Sequence, residues 1–250
     1  MPDVKFIAIA SGKGGVGKTT VSAGLAEAFA HLGKKTLAVD ADLAFRNLDL
    51  MLNVKDGGIF DLDDVIEERC RLEDTICASG FCENLWYMPA TLSKTNSEKI
   101  DSVFMREFLK ILKSRYDILI FDTAAGLGKS FELFALNSDV VCIVTTPHRA
   151  AMRDAERTAE VLASKDIPAY LVVNMVNPAQ IQNHSAPNID EIIDSVGLPL
   201  IGLVPADNKV PGWQNNGISV YSAQGSRLRQ QLCDMAARLT GMHRTLTKFW

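Results

Sequence analysis

Long apolar runs, surplus positive charge and paired cysteines are all scarce in these 250 residues. No stretch approaches the ~20 consecutive apolar residues that a membrane-crossing helix needs. No basic N-terminus with an apolar leader stands at the start, so a cytoplasmic chain is expected. Lys and Arg number 26 against 30 Asp and Glu, a net charge of −4, and no specific nucleic acid is expected as a partner. The five cysteines form an odd set with no C-x2-C spacing, which suits reduced thiols better than a disulfide framework. Repeats, low-complexity tracts and linkers are missing too, so 1–250 reads as one domain. With 47% hydrophobic residues the chain can bury a sizeable core.

What is present is a regular alternation. Apolar runs of strand length recur at 4–10, 35–39, 85–88, 116–121, 140–144, 170–173 and 200–204. Most are unbroken, as in strands covered on both faces. Between them lie segments of helical period at 20–32, 97–114, 150–163 and 227–239; Val21, Leu25, Ala28, Phe29 and Leu32 make one such stripe. The pattern predicts an α/β fold, a doubly wound, mostly parallel sheet of seven to eight strands with helices on both faces. Ligands of such sheets sit at the carboxyl ends of the strands. There the sequence places SGKGGVGKTT (11–20), Asp40 and Asp42, Asp122, Asn174, and Pro205 with Asp207.

SGKGGVGKTT fits two patterns. Gly12, Gly14 and Gly17 spell the dinucleotide G-x-G-x-x-G, whereas Gly12, Gly17, Lys18 and Thr19 complete the P-loop octet. A dinucleotide loop needs neither Lys18 nor Thr19. In a P-loop, Gly12, Gly14, Gly15 and Gly17 let the backbone wrap around Val16 and aim its N–H groups at phosphate. The helix opening near Thr20 adds its positive end. Lys18 can reach the β- and γ-phosphates, and the Thr19 hydroxyl can ligate Mg²⁺. YDILIFD, an apolar strand ending in Asp122, supplies an acid to the Mg²⁺ shell, and Asp40 reads as a second such acid. GLGKS (126–130) has Thr123 where a second P-loop would need its first glycine, so it reads as a switch loop. From chemistry alone Lys13 stays open between a solvated loop charge and an extra cation for phosphoryl transfer.

KGGVGKT is the deviant Walker A motif, and along nearly its whole length the chain resembles the MinD/ParA family of P-loop ATPases. VDADLAFRNLDLML (39–52) is similar to the family's switch I, LWYMPA (85–90) to its third core strand and FDTAAG (121–126) to switch II. TTPHRAAMRDAERT (145–158), VNPAQ and IGLVPADNKV match later segments. The resemblance implies an ATPase using ATP and Mg²⁺ that forms an ATP-dependent homodimer, with Lys13 crossing to the partner's phosphates. It implies that Asp42 positions the attacking water, that Asp40 and Asp122 join Thr19 around Mg²⁺, and that Asn174 reads the adenine, with Pro205 and Asp207 in the nucleotide-binding set. Arg46, Asn47 and Asp49 would lie on the switch I surface, and Arg153 and Asp154 on a helix used by division-regulator proteins. The role implied is spatial regulation of cell division at the septum site, through ATP-dependent association with the inner face of the cell membrane. Switch II departs from the family in reading Asp-Thr-Ala-Ala-Gly where Pro-Ala-Gly is more usual.

A ParA-type partitioning ATPase and a flagellar-number positioning ATPase are the alternatives within the family. An iron–sulfur carrier on the same scaffold would draw on Cys70, Cys77 and Cys82, but their C-x6-C-x4-C spacing matches no paired-thiolate pattern. At the C-terminus, Leu239, Met242, Leu246, Phe249 and Trp250 share an arc of about 100° on a helical wheel, opposite Arg244 and Lys248. This predicts a short amphipathic membrane-contact tail over 242–250.

Overall fold

The structure, a computed structural model, describes residues 5–42, 46–55 and 58–246. Strands form on every expected apolar run: β1 (Phe6–Ala10), β2 (Thr36–Ala41), β4 (Leu85–Pro89), β5 (Ile118–Thr123), β6 (Val140–Thr145), β7 (Ala169–Val176) and β8 (Leu200–Pro205). A two-residue strand that the sequence did not signal, β3 (Cys77–Ala78), completes one sheet of order β3-β4-β2-β5-β1-β6-β7-β8. Only β3 runs antiparallel, pairing Cys77 with Tyr87 and Ala78 with Trp86. Every residue of β1, β2, β5 and β6 is buried, which is why their sequences are apolar without alternation.

The strand period of two divides the core. From β1, Phe6, Ala8 and Ala10 face a layer with Phe108 of the Ser102–Arg115 helix, Met152 of the Arg149–Ala163 helix and Ile192 of the Ile189–Val196 helix. Ile7 and Ile9 face the other layer, with Leu25 and Phe29 of the Lys18–His31 helix and Leu232 and Met235 of the Leu228–Leu239 helix. The expected helix over 97–114 is two helices, Lys94–Lys99 and Ser102–Arg115. Asp101 separates them, its carboxylate accepting from Val103 N and Phe104 N and so starting the second helix afresh.

The helix expected to run on into the C-terminal tail does not form over 242–246. The last helix ends at Leu239, and Gly241 turns the chain out of it at φ +82°. Residues 242–246 are non-helical. The Arg238 guanidinium holds them, donating to the carbonyls of Arg244 and Thr245 and to that of Ile201 in β8. Leu239, placed on the lipid-facing stripe by the helical wheel, is 1% exposed within the core, whereas Met242 and Leu246 are 47% and 44% exposed. Lys248, Phe249 and Trp250 lie outside the described residues.

One of the buried carboxyls lies away from the loop that follows β1. Glu27, on the Lys18–His31 helix, is fully buried, accepts from the Ser219 hydroxyl, and has its Oε1 without a partner among the described residues. Burial pushes its carboxyl from the ordinary 4.5 up to about 7, the Ser219 hydrogen bond partly opposing. The native state therefore keeps a proton that the unfolded chain has already released, and stability falls as pH rises from about 4.5 through about 7. Glu27→Gln, neutral throughout, should exceed the parent in urea-unfolding stability at pH 8 by on the order of 1–3 kcal/mol, and the gap should close towards pH 4.5. A gap independent of pH would show that Glu27 titrates normally.

Candidate nucleotide-binding site

The chain leaves β1 at Ala10 and loops through 11–17 before the helix opens at Lys18. Gly17 caps that helix at φ +81° in the left-handed region, where a side chain is strained. A Cβ at Gly17 would also stand 2.2 Å from Asn174 Nδ2, and one at Gly12 would stand 2.3 Å from the Asp154 carbonyl oxygen. The loop is thus clamped between the Arg149–Ala163 helix and the end of β7. Asn174 Nδ2 donates to the buried Val16 carbonyl at 2.8 Å, and the Ser11 hydroxyl donates to the Lys13 carbonyl at 3.0 Å. Residues Lys13 to Thr20 wall a cavity of about 500 Å³, closed elsewhere by Asp42, Met51, Met175 and Gln214.

Beneath the loop, Asp40 and Asp122 end β2 and β5 as register partners, 1% and 2% exposed. Asp122 Oδ1 accepts from Ser22 Oγ at 2.8 Å and sits 3.4 Å from Lys18 Nζ. Asp40 takes three backbone N–H groups: Asp42 at 3.2 Å on one oxygen, Asn47 and Leu48 at 3.1 Å on the other. Burial first, then the Asp122 charge, lift the Asp40 carboxyl to about 7 against those three donors. The expected metal set therefore separates. Thr19 lines the cavity and Asp122 lies beside Lys18, but Asp40, expected in the metal shell, has both oxygens engaged in shaping switch I. Two adjacent buried carboxylates beside one lysine leave negative charge uncompensated, so Thr19 and Asp122 fit a divalent cation.

Asp42 lines this cavity and also a smaller one of about 170 Å³, shared with Gly126, Lys129 and Ser130. Ser130 Oγ donates to the Ala41 carbonyl at 2.6 Å and accepts from Ala124 N at 2.9 Å, joining the end of β2 to the 124–130 loop. GLGKS thus builds the wall facing Asp42. Asn174 is 5% exposed; its Oδ1 accepts from Met175 N of its own strand, while its Nδ2 braces the P-loop. It also lines a neighbouring cavity of about 380 Å³ with Pro205 and Asp207. Gly14 and Gly15 are exposed. Lys13 is exposed at the cavity mouth, and its ammonium has no hydrogen bond or ion pair among the described residues. Arg46 donates to the Gly58 carbonyl at 3.1 Å, while Asn47 lines the cavity next to it.

Three site residues escaped the sequence reading. Ser22 lies one helical turn after Lys18, so its face was legible although its carboxylate partner was not. Met175, at φ +55°, and Gln214, from the Val210–Asn215 helix, carry no local signal. Cys77 and Cys82 pack against the core layer of the Lys18–His31 helix, and Cys70 is half-buried. Among the described residues no three His, Cys, Asp or Glu side chains gather closely enough to hold a metal ion.

Comparison with known proteins fits this geometry. The profile of the CobQ/CobB/MinD/ParA nucleotide binding domain matches residues 7–220. The septum site-determining protein MinD of Synechocystis sp. is 35% identical over 214 residues, 85% of this chain and 80% of that protein. A MinC:MinD cell division protein complex from Aquifex aeolicus contains a chain that superposes with a TM-score of 0.88 at 31% identity, covering 98% of each. The septum site-determining protein MinD complexed with Mg-ADP from Pyrococcus horikoshii superposes with a TM-score of 0.81 at 30% identity, over 94% of this chain and 95% of that one.

The clamp makes a differential prediction. Gly12→Ala drives a Cβ into the Asp154 backbone and should lower unfolding stability by about 1–3 kcal/mol. Gly14→Ala meets no atom within 4 Å and should melt like the parent. Calorimetric melting of both variants checks this; equal losses would remove the clamp from the account.

Proposed function

The chain belongs to the CobQ/CobB/MinD/ParA family of nucleotide-binding domains, and from that premise we propose a Mg²⁺-dependent ATPase that pairs with a second copy around ATP and helps place the division septum. The observation that carries the reading is the clamped P-loop with Lys18 and Thr19 above buried Asp122. The Pyrococcus horikoshii relative, described with Mg-ADP, and the Aquifex aeolicus relative, described in a complex with MinC, support the nucleotide and a division-regulator partner. The acidic balance disfavours a partitioning ATPase acting through non-specific DNA contact.

On this reading the loop N–H groups and Lys18 hold the phosphates, and Lys18 exchanges Asp122 for the β- and γ-oxygens. Thr19 and Asp122 would hold Mg²⁺, whose charge would offset those oxygens. Asp42, whose backbone N–H is anchored on Asp40 and whose side chain lines both cavities, orients the attacking water. Lys13, without a partner among the described residues, reaches the phosphates of the second copy, where charge develops as the γ-phosphoryl leaves. Arg153 is exposed on the Arg149–Ala163 helix, the surface assigned to the division regulator, and the next residue abuts Gly12. The protein works in the cytoplasm as a single P-loop unit and reaches the inner membrane face through 242–250 when ATP has paired two copies.

Two measurements test this. In sedimentation with ATP, Asp42→Ala should bind nucleotide and dimerise with phosphate release lost. Adding Lys13→Ala should leave an ATP-bound monomer; a dimer that persists would return Lys13 to a loop charge. With anionic liposomes the parent should pellet in ATP and not in ADP, because two weak tails gain effective concentration when joined. Deleting 245–250 should abolish pelleting with dimerisation intact; equal pelleting in both nucleotides would overturn the membrane switch.

A further inference from the structure

The cavity walled by the P-loop and the neighbouring cavity that holds Pro205 and Asp207 meet along one edge, and Thr20, Met175 and Gln214 line both. Phosphates fixed on the loop leave the sugar and base to pass Thr20 at this edge. Beyond it, Pro205, Val210 and Pro211 give apolar walls, and Asn174 and Asp207 give polar groups, a composition suited to a base. The shared edge is therefore where the sugar of a nucleotide held on the loop would lie.

Of its three residues, Met175 has no strong hydrogen-bonding group, and Thr20 accepts from Gln214 Nε2 at 2.9 Å, which leaves its own O–H to donate. The same Nε2 approaches Met51 Sδ at 3.6 Å, and a thioether can only accept, so the amide nitrogen belongs on that side. The carbonyl Oε1 of Gln214 is then turned away from both, and it accepts no hydrogen bond among the described residues. A pure acceptor in a half-buried wall is matched by a hydroxyl donor, and the sugar of a ribonucleotide carries two.

We propose that Gln214 reads the sugar of the bound nucleotide, its carbonyl accepting from a ribose hydroxyl while its amide nitrogen stays on Thr20 and Met51. The inference rests on the nucleotide reading above and adds discrimination of ribo- from deoxyribonucleotides. Because Met51 ends the Leu48–Met51 helix of switch I, the residue that contacts the sugar also touches that segment.

The test is equilibrium binding of ATP, 2′-deoxy-ATP and 3′-deoxy-ATP to the full chain and to Gln214→Leu, with melting curves confirming that the variant is folded. The parent should bind ATP about fivefold more tightly than one of the two deoxy analogues, the worth of one hydrogen bond, and which analogue is weakened identifies the hydroxyl. Gln214→Leu should bind ATP and that analogue equally. Gln214→Glu, which keeps the acceptor and loses the donor to Thr20, should retain the discrimination. A parent that does not discriminate, or discrimination undiminished in Gln214→Leu, overturns the assignment and leaves the nucleotide site standing. A parent that binds no ATP overturns both.

Discussion

Two carboxylates lie side by side under the P-loop because β2 and β5 are parallel neighbours in register, and each strand has an aspartate one residue before its end. Neither can be buried bare, since an isolated buried charge costs far more than the fold has to spare. Their compensation differs, and much of the local structure follows from the difference. Asp122 takes a hydroxyl and an ammonium from the Lys18–His31 helix, which fixes the first turn of that helix over β5. Asp40 takes three backbone N–H groups from 42–48, which draws switch I across the end of β2 and starts the Leu48–Met51 helix. One strand pairing therefore positions the phosphate lysine and the segment bearing Asp42 together.

The second constraint is close approach. Gly12 touches the backbone of Asp154 and Gly17 touches Asn174, so the loop has no room to move without displacing its neighbours. Interiors are packed too densely to absorb such a shift silently. Arg153, on the exposed face of the Arg149–Ala163 helix, thus lies one residue from the contact with Gly12, and Asn174 joins the end of β7 to the same loop through Val16. The sheet supplies the rigid frame, and the glycines make the contacts between frame and loop short.

Much of this was legible in the sequence, for stated reasons. Strands covered on both faces must be apolar throughout, and β1, β2, β5 and β6 are. Lys18 and Thr19 decided the loop against the dinucleotide pattern, and the cavity lining agrees. What was not legible depended on long-range partners. Asp40 and Asp122 look alike as acids at strand ends, and only the three N–H groups returning from 42–48 distinguish them. Asp101 interrupts an otherwise helical period by capping, which periodicity does not register. The helical wheel at the C-terminus presupposed a helix that Gly241 ends and Arg238 holds closed. Gln214 reaches Thr20 across 194 residues, beyond any local pattern.

The charge balance of the site also explains why nucleotide and metal belong together on the proposed reading. Before either arrives, Lys18 offsets Asp122, and Asp40, raised to about 7, is partly protonated near neutral pH. When Lys18 turns to the phosphates, Asp122 keeps only the Ser22 hydroxyl and stands beside Asp40 and an anionic ligand in a low-dielectric setting. That arrangement is unfavourable unless a cation takes the place Lys18 has left. Thr19 and Asp122 are the residues that would hold a divalent cation there, and its charge would offset both carboxylates and phosphates. Lys13 could not serve in that place, because it lies on the exposed lip of the loop and not beneath it.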